Sequence, residues 1–235
     1  MAELKAAYAE RIAAVRREAA VPAIDAVLAR APPPIAPAAK KTAGAPPGVK
    51  TLAAYVDVAA LARHEQVREI ELIWRARFAG AAASLCAVVP AATFARMAAA
   101  ARRAPMFVLP LARAGQGTEM HLLQWTFPAP LVATVMFTTL EQYKLHGEFA
   151  APHTTLSHHL ELADDRGVVL AQGEAQPDSG VSVAQAQFLV VAMQKFYGAF
   201  EGPSSARRQA MLDMFARGDP EFSVDALIRE VEMAE

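Results

Sequence analysis

Residues 106–174 constrain the fold most, because they consist of short apolar segments separated by turn-forming Gly, Pro and Asp residues. Apolar segments of this length between turns are typical of β-strands. Pro110 lies inside the first segment, which predicts an edge strand or a bulge because proline cannot donate to a strand ladder. The turn sequence at residues 164–167 predicts a hairpin. With one segment further upstream, the predicted strands cover residues 84–89, 106–111, 119–127, 131–137, 154–162 and 168–174.

Helical patterns lie on both sides of this strand block. Helices are predicted at residues 53–62, 65–79, 91–103, 183–197, 204–217 and 222–233. Within the block, Thr138 and Glu141 have the capping-box spacing, which predicts a short helix that ends near Gly147. The apolar face of residues 183–197 is broad enough to lie across a sheet. The pattern therefore predicts an α+β fold with a mainly antiparallel β-sheet packed against helices.

The first 50 residues differ from the rest in charge and composition. They carry eight basic and four acidic residues, a net charge of +4, whereas the remainder carries −5. Apolar residues near the N-terminus recur with helical spacing, and eight prolines and glycines in residues 31–50 oppose helix formation. Three regions are predicted: a basic amphipathic helical arm over residues 1–30, an Ala/Pro-rich linker over residues 31–50, and an α+β domain over residues 51–235.

Composition argues against several classes of protein. The formal net charge is −1 and the pI is about 6.6, whereas a general nucleic-acid-binding protein needs a basic surface. Cys86 is the single cysteine, which excludes an internal disulfide and a CxxC zinc site. There is no run of about 20 apolar residues. We therefore expect no nucleic-acid partner and no membrane span.

The histidines suggest a metal site, because histidine is a common transition-metal ligand. The candidates are His121, His146, His153, His158 and His159. Adjacent residues of a strand point to opposite faces, so His158 and His159 cannot chelate one ion together. His153 and His159 would be about 20 Å apart at about 3.3 Å per residue. We expect histidines hydrogen-bonded at sheet edges and no bound metal; a metal-assisted hydrolase that uses them is the alternative.

The sequence contains no recognised catalytic motif. It has no GxxxxGK[ST] phosphate-binding loop and no GxSxG nucleophile elbow. Gly115 and Gly117 lack the third glycine of a dinucleotide-binding loop. We therefore predict no catalytic residues, no cofactor and no enzymatic activity.

Residues 52–197 carry a series of short motifs in a fixed order. In chain order these are Glu71-Leu72-Ile73-Trp74, Val88-Val89-Pro90, Phe107-Val108-Leu109-Pro110-Leu111, Gln124-Trp125, Phe137-Thr138-Thr139-Leu140-Glu141-Gln142-Tyr143-Lys144, Gly147-Glu148-Phe149-Ala150, Pro152-His153-Thr154-Thr155, Gly167-Val168-Val169-Leu170, Gly173-Glu174, Ala186-Gln187, Gln194 and Phe196-Tyr197. Their order and spacing resemble the mitochondrial ATP synthase F(1) complex assembly factor family. The segment Tyr8-Ala9-Glu10-Arg11-Ile12 also resembles the short basic helix of that family.

The resemblance implies binding and not catalysis. Members of that family hold the unassembled beta subunit of the catalytic sector and prevent its aggregation until the alpha subunit replaces them. By resemblance we expect a monomeric assembly chaperone in the mitochondrial matrix, although no clear presequence precedes Met1. A permanent structural subunit of a larger complex, bound through the N-terminal helix, is a further alternative.

Five residues in the matched motifs are expected to contribute to partner binding. They are Trp125, Tyr143, Lys144, Glu148 and His153. Each also has a structural interpretation: Trp125 lies between a strand and a proline turn, where burial is usual. Tyr143 could seal a helix against the sheet, and Glu148 could pair with a nearby cation.

Overall fold

The computed structural model describes residues 46, 48–113, 115 and 117–233. The predicted helical arm and most of the predicted linker lie outside these residues. Within the described part, eight α-helices surround one six-stranded sheet with the strand order β1-β6-β5-β4-β3-β2. Every neighbouring pair of strands is antiparallel. The predicted α+β fold with an antiparallel sheet is confirmed.

The strands and helices follow closely the order that the sequence predicts. The strands are β1 Ser84–Pro90, β2 Met106–Arg113, β3 Gly117–Ala129, β4 Val132–Thr139, β5 Thr154–His159 and β6 Val168–Ala175. The α-helices are α1 Val58–Leu61, α2 Val67–Phe78, α3 Ala91–Arg103, α4 Leu140–His146, α5 Ala163–Arg166, α6 Val183–Phe196, α7 Ser205–Arg217 and α8 Val224–Glu232. Short 3-10 segments cover Leu52–Ala54 and Gly147–Phe149. No helix in the described ranges is long and apolar enough to cross a membrane.

The sheet curls around α6, which contacts both of its edge strands. On one edge, the ring of Phe107 in β2 lies 5.1 Å from that of Phe196 in α6. On the other, Leu85 of β1 packs in one apolar cluster with Ala186 of α6. Since β1 and β2 are at opposite ends of the strand order, one helix can contact both only if it lies across the concave face. This confirms the prediction that residues 183–197 form a helix packed on the sheet.

The second edge strand, β2, is covered by the C-terminal helices. It pairs with β3 alone, as predicted from Pro110. The helices α6, α7 and α8 all contact it, and Phe107 packs against Phe215 and Phe222 at 5.3 Å and 6.3 Å between ring centroids. A covered edge strand is protected from pairing with other chains.

The two faces of the sheet contribute to two separate apolar cores. Along β6, Val169 and Ala171 belong to the main core on the concave face, whereas Val168 and Leu170 belong to a second core. This alternation is the period-2 pattern of a strand buried on both faces. Trp74 of α2 is fully buried in the second core, and its indole Nε1 donates to the carbonyl oxygen of Ala171 at 3.0 Å. The helix α2 is thereby fixed on the outer face.

Two local expectations differ from the structure. The strands on either side of residues 164–167 pair as the predicted hairpin requires, but the connection contains the helical turn α5, which ends at Gly167 with φ 68°. The helix α4 is capped by Thr139, which accepts a hydrogen bond from the backbone N–H of Gln142, and not by Thr138. Thr138 is still in β4, where it pairs with Leu122. The helix therefore begins one residue later than the sequence pattern predicts.

We expect Gly173→Ala to lower the free energy of unfolding by about 1–3 kcal/mol, as overpacking of a close-packed interior does. A Cβ on Gly173 would lie 2.8 Å from the backbone oxygen of Thr155 and 3.3 Å from Cβ of Leu85. Urea denaturation monitored by circular dichroism measures the change. Gly80→Ala is the matched control, because a Cβ there meets nothing within 4 Å. Equal stability of the two variants would contradict the strand packing described here.

Candidate partner-binding site

The connection between β4 and β5 is long for two neighbouring antiparallel strands. Their hairpin loop typically has 2–5 residues, but here residues 140–153 leave the sheet and return to it. This excursion contains α4 and the 3-10 segment Gly147–Phe149. Three of the five residues expected to contribute to partner binding lie in these two elements, and His153 lies at the return. Long ordered connections on a rigid scaffold are where binding residues concentrate.

The inner side of α4 anchors the excursion. Leu140 and Tyr143 are buried in the main core, and residues three apart share one face of a helix. The helix ends at Gly147, whose φ of 59° and ψ of −132° lie in a backbone region that side-chain-bearing residues rarely adopt. Glycine at this position lets the chain turn sharply into the 3-10 segment.

The outer side of the excursion presents two large apolar side chains. Leu145 is 68% exposed and Phe149 is 86% exposed. Both line one open depression, and the exposed side chains of Lys144 and Glu148 line it as well. We name these four residues the Phe149 surface. A single exposed apolar residue is ordinary, but two in one depression beside charges of both signs resemble the apolar centre and polar rim of a protein interface.

A series of polar contacts runs from the half-buried Arg113 and Glu119 to the buried His121, His153 and Thr154. The guanidinium of Arg113 donates from Nε to Oε2 of Glu119 at 2.7 Å. Nε2 of His121 lies 3.5 Å from the same carboxylate oxygen, and its Nδ1 lies 3.0 Å from Nε2 of His153. Nδ1 of His153 is 2.9 Å from the hydroxyl of Thr154. These contacts therefore connect the start of β5 to β3 and β2.

Burial and the neighbouring charges keep the imidazole of His153 neutral. Burial is the main cause that lowers the pKa of His153 to about 3. The imidazole of His121, whose Nε2 lies 3.5 Å from the Glu119 carboxylate, and the guanidinium of Arg113 together lower the pKa of Glu119 to about 2. A neutral imidazole donates from one nitrogen and accepts at the other, which suits two buried neighbours. His121 and His153 are 0% and 4% exposed. Their contact therefore positions the start of β5 and is not accessible from solvent.

The structure separates the five predicted residues into exposed and buried groups. Lys144 and Glu148 are exposed, whereas Tyr143 and His153 are buried behind the Phe149 surface. Trp125 is 2% exposed and lies on β3 in the main core. Of the five residues, Lys144 and Glu148 have exposed side chains, and Tyr143 lines the same depression although it is only 7% exposed.

The remaining histidines are dispersed. His158 stacks on Trp125 in the main core with 5.5 Å between ring centroids. His159 faces the second core, 5.4 Å from the ring of Tyr55, so the predicted opposite orientation of these neighbours is confirmed. His146 is exposed on α4. In the part of the chain that the structure describes, no three His, Cys, Asp or Glu residues are grouped so as to hold a metal ion.

Sequence reasoning missed Leu145 and Phe149. At about 100° per residue, Leu145 falls about 170° from the mean direction of Leu140 and Tyr143. Helical periodicity could therefore have shown that Leu145 is exposed. Phe149 follows the turn at Gly147, where periodicity carries no signal.

Comparison with known proteins places the chain in a family. The family model described as ATP11 protein matches residues 1–228, and the chain belongs to this family. It is 37% identical over 187 residues to "Protein atp11, mitochondrial" of Schizosaccharomyces pombe, an overlap that covers 77% of this chain and 62% of that protein. It is 29% identical over 185 residues to human "ATP synthase mitochondrial F1 complex assembly factor 1", which covers 79% of this chain and 52% of that protein. The chain thus spans about half to three fifths of the length of these relatives.

Proposed function

We propose that this chain is an assembly factor for mitochondrial F1 ATP synthase and that it binds the unassembled beta subunit. The family match over residues 1–228 carries the proposal, supported by relatives whose names state F1 complex assembly. The protein acts as a monomer in the mitochondrial matrix and catalyses no reaction. It prevents aggregation of the beta subunit until the alpha subunit takes its place.

The Phe149 surface supplies a contact suited to this role. A lone subunit of a ring exposes an apolar interface that is later buried between subunits. Phe149 and Leu145 project from a part of the fold that is fixed by buried anchors, so they contact such an interface without first becoming ordered. Lys144 and Glu148 lie beside them and orient the client through charge.

The buried residues contribute by positioning this surface. Tyr143 holds α4 against the core, and His153 fixes the strand at which the excursion returns. Trp125 packs in the main core. Substitutions at these three positions should affect binding and stability together, whereas substitutions in the Phe149 surface should affect binding alone.

The test is aggregation of purified beta subunit followed by light scattering. We expect a stoichiometric amount of this protein to suppress the scattering, and later addition of alpha subunit to release the chaperone into the monomer fraction. The client surface is buried in the hexamer, so assembled F1 should not bind. Absence of suppression would contradict the proposal. Equal binding to the assembled complex would favour the permanent-subunit alternative.

A further inference from the structure

The outer edge of β1 is defined by its register with β6. The N–H of Ala175 donates to the carbonyl oxygen of Ala83 at 2.9 Å. Two residues further along, Leu85 is paired with Gly173. Hydrogen-bonded pairs alternate with non-bonded pairs in an antiparallel ladder. Leu85, Ala87 and Val89 therefore direct their backbone groups towards β6, whereas Cys86 and Val88 direct theirs away from it.

The outward-facing groups belong to Cys86 and Val88. Among the described residues, no hydrogen bond is formed by the backbone N–H or C=O of either one on this outer side. The edge ends at Pro90, which has no N–H, and begins at Ser84, whose N–H donates to Ala81. Two donors and two acceptors thus face outward along the middle of the strand. Such a row is a template for one further strand.

A groove lies beside this edge, between β1 and α6. Its volume is about 170 Å³; β1 contributes Leu85, Cys86 and Ala87 to its wall, and Leu156 of β5 closes its inner end on the concave face. The helix contributes four residues that share one face, with spacings of three, one and three residues: Gln187, Val190, Val191 and Gln194. Every lining residue is uncharged, and Val191 is 41% exposed. The groove suits apolar and small neutral side chains.

We propose that the edge of β1 and this groove bind an extended, uncharged segment of a partner protein. The segment adds as a strand outside β1, so that its backbone pairs with Cys86 and Val88. Alternate side chains of a strand point to one face, and those on the concave face enter the groove against Val190 and Val191. Backbone pairing provides affinity and the groove provides selectivity, as in other complexes formed by strand addition.

The chemistry of the residues that line the groove indicates which kind of segment binds there. A charged segment would lose hydration without finding a countercharge, because the lining contains none. A helical segment satisfies its own backbone groups and could not pair with the edge. The inference is independent of the F1 client, because it depends on β1 and α6 and not on the Phe149 surface.

The first experiment measures amide exchange by NMR in the full chain. The probe is a blocked eight-residue peptide of alternating Val and Thr. In the free protein, the amides of Cys86 and Val88 should exchange at least tenfold faster than those of Leu85 and Ala87. Saturating peptide should slow the two outward amides at least tenfold. Protection of both amides before peptide is added, or binding that leaves them unchanged, would overturn the proposal.

The second experiment changes the groove of the protein and the backbone of the peptide in separate measurements. Val191→Glu adds a charge to the groove at an exposed helix position, and it should weaken peptide binding at least tenfold. Leu72→Glu on α2 is the matched control, since Leu72 is 60% exposed and does not line the groove. A peptide N-methylated at every residue cannot donate to the carbonyl oxygens of Cys86 and Val88, so it should bind at least tenfold more weakly.

Each contrary result has a clear meaning. Equal affinity of the Val191 and Leu72 variants would exclude the groove. Undiminished binding of the N-methylated peptide would exclude strand addition. Sedimentation that shows a dimer, lost on addition of peptide, would mean that a second copy occupies the edge and would also overturn the proposal. None of these measurements involves an F1 subunit, so they leave the proposed function untouched.

Discussion

Phe149→Asp is expected to weaken binding of the unassembled beta subunit by about 30-fold or more, which corresponds to about 2 kcal/mol. The side chain is 86% exposed, so an interface that covers it would bury most of an aromatic ring. Aspartate removes that apolar area and introduces a carboxylate that the interface would have to desolvate. Titration calorimetry with refolded beta subunit measures the affinity.

The fold should not change, because Phe149 makes little contact with the rest of the protein. We expect the circular dichroism spectrum and the melting temperature to match those of the parent chain. Leu72→Asp is the matched control, since it introduces the same charge at a side chain that is 60% exposed on α2. If both variants bound the beta subunit as tightly as the parent, the client would lie elsewhere on the molecule. If both lost affinity equally, the effect would be one of net charge.

Local sequence signals predicted the individual elements well. The predicted helix over residues 91–103 coincides with α3, because Pro90 sets its start and Arg102 and Arg103 favour its C-terminal end. The predicted edge position of β2 follows from one residue, Pro110, which lacks an N–H. These features depend on the residues of a single segment, so the sequence pattern contains them.

Features that depend on distant pairs could not be predicted in this way. His121 and His153 are 32 positions apart, and their contact exists only because the β4 strand lies between β3 and β5 in the sheet. The edge position of β1 likewise depends on the order of all six described strands. The exposure of Phe149 is set by the turn at Gly147 and by the anchoring of α4. Residue type drew attention to the histidines, but their positions in the sheet decided that His121 and His153 are buried.

We expect acid to unfold this protein at a pH well above the range in which carboxylates usually titrate. Burial lowers the pKa of His158 and of His159 to about 4 and that of His153 to about 3, whereas the ordinary value is 6.5. Below pH 6.5 the unfolded chain therefore takes up protons that the folded chain does not, and the free energy of unfolding falls as the pH falls. Each histidine contributes about 1.4 kcal/mol per pH unit, so the three cost about 6 kcal/mol at pH 5. This approaches the whole stability of an ordinary domain, about 5–15 kcal/mol.

Urea denaturation at pH 7.5, 6.5, 5.5 and 5.0 tests this expectation, with intrinsic tryptophan fluorescence as the signal. His159→Leu removes one of the three groups, so its stability should decline less steeply than that of the parent, by about 1.4 kcal/mol per pH unit between pH 6 and 5. His146→Gln is the matched control, because it also replaces a histidine but at an exposed position on α4 outside both apolar cores. The slope, and not the stability at neutral pH, is the quantity compared, since replacement of a core side chain shifts stability at every pH. A free energy of unfolding that stays constant from pH 7.5 to 5.0 would show that the three imidazoles can be protonated in the folded state. Glu119 acts in a lower window: its lowered pKa gives stability that is present above the ordinary value of 4.5 and is lost as the pH falls towards 2.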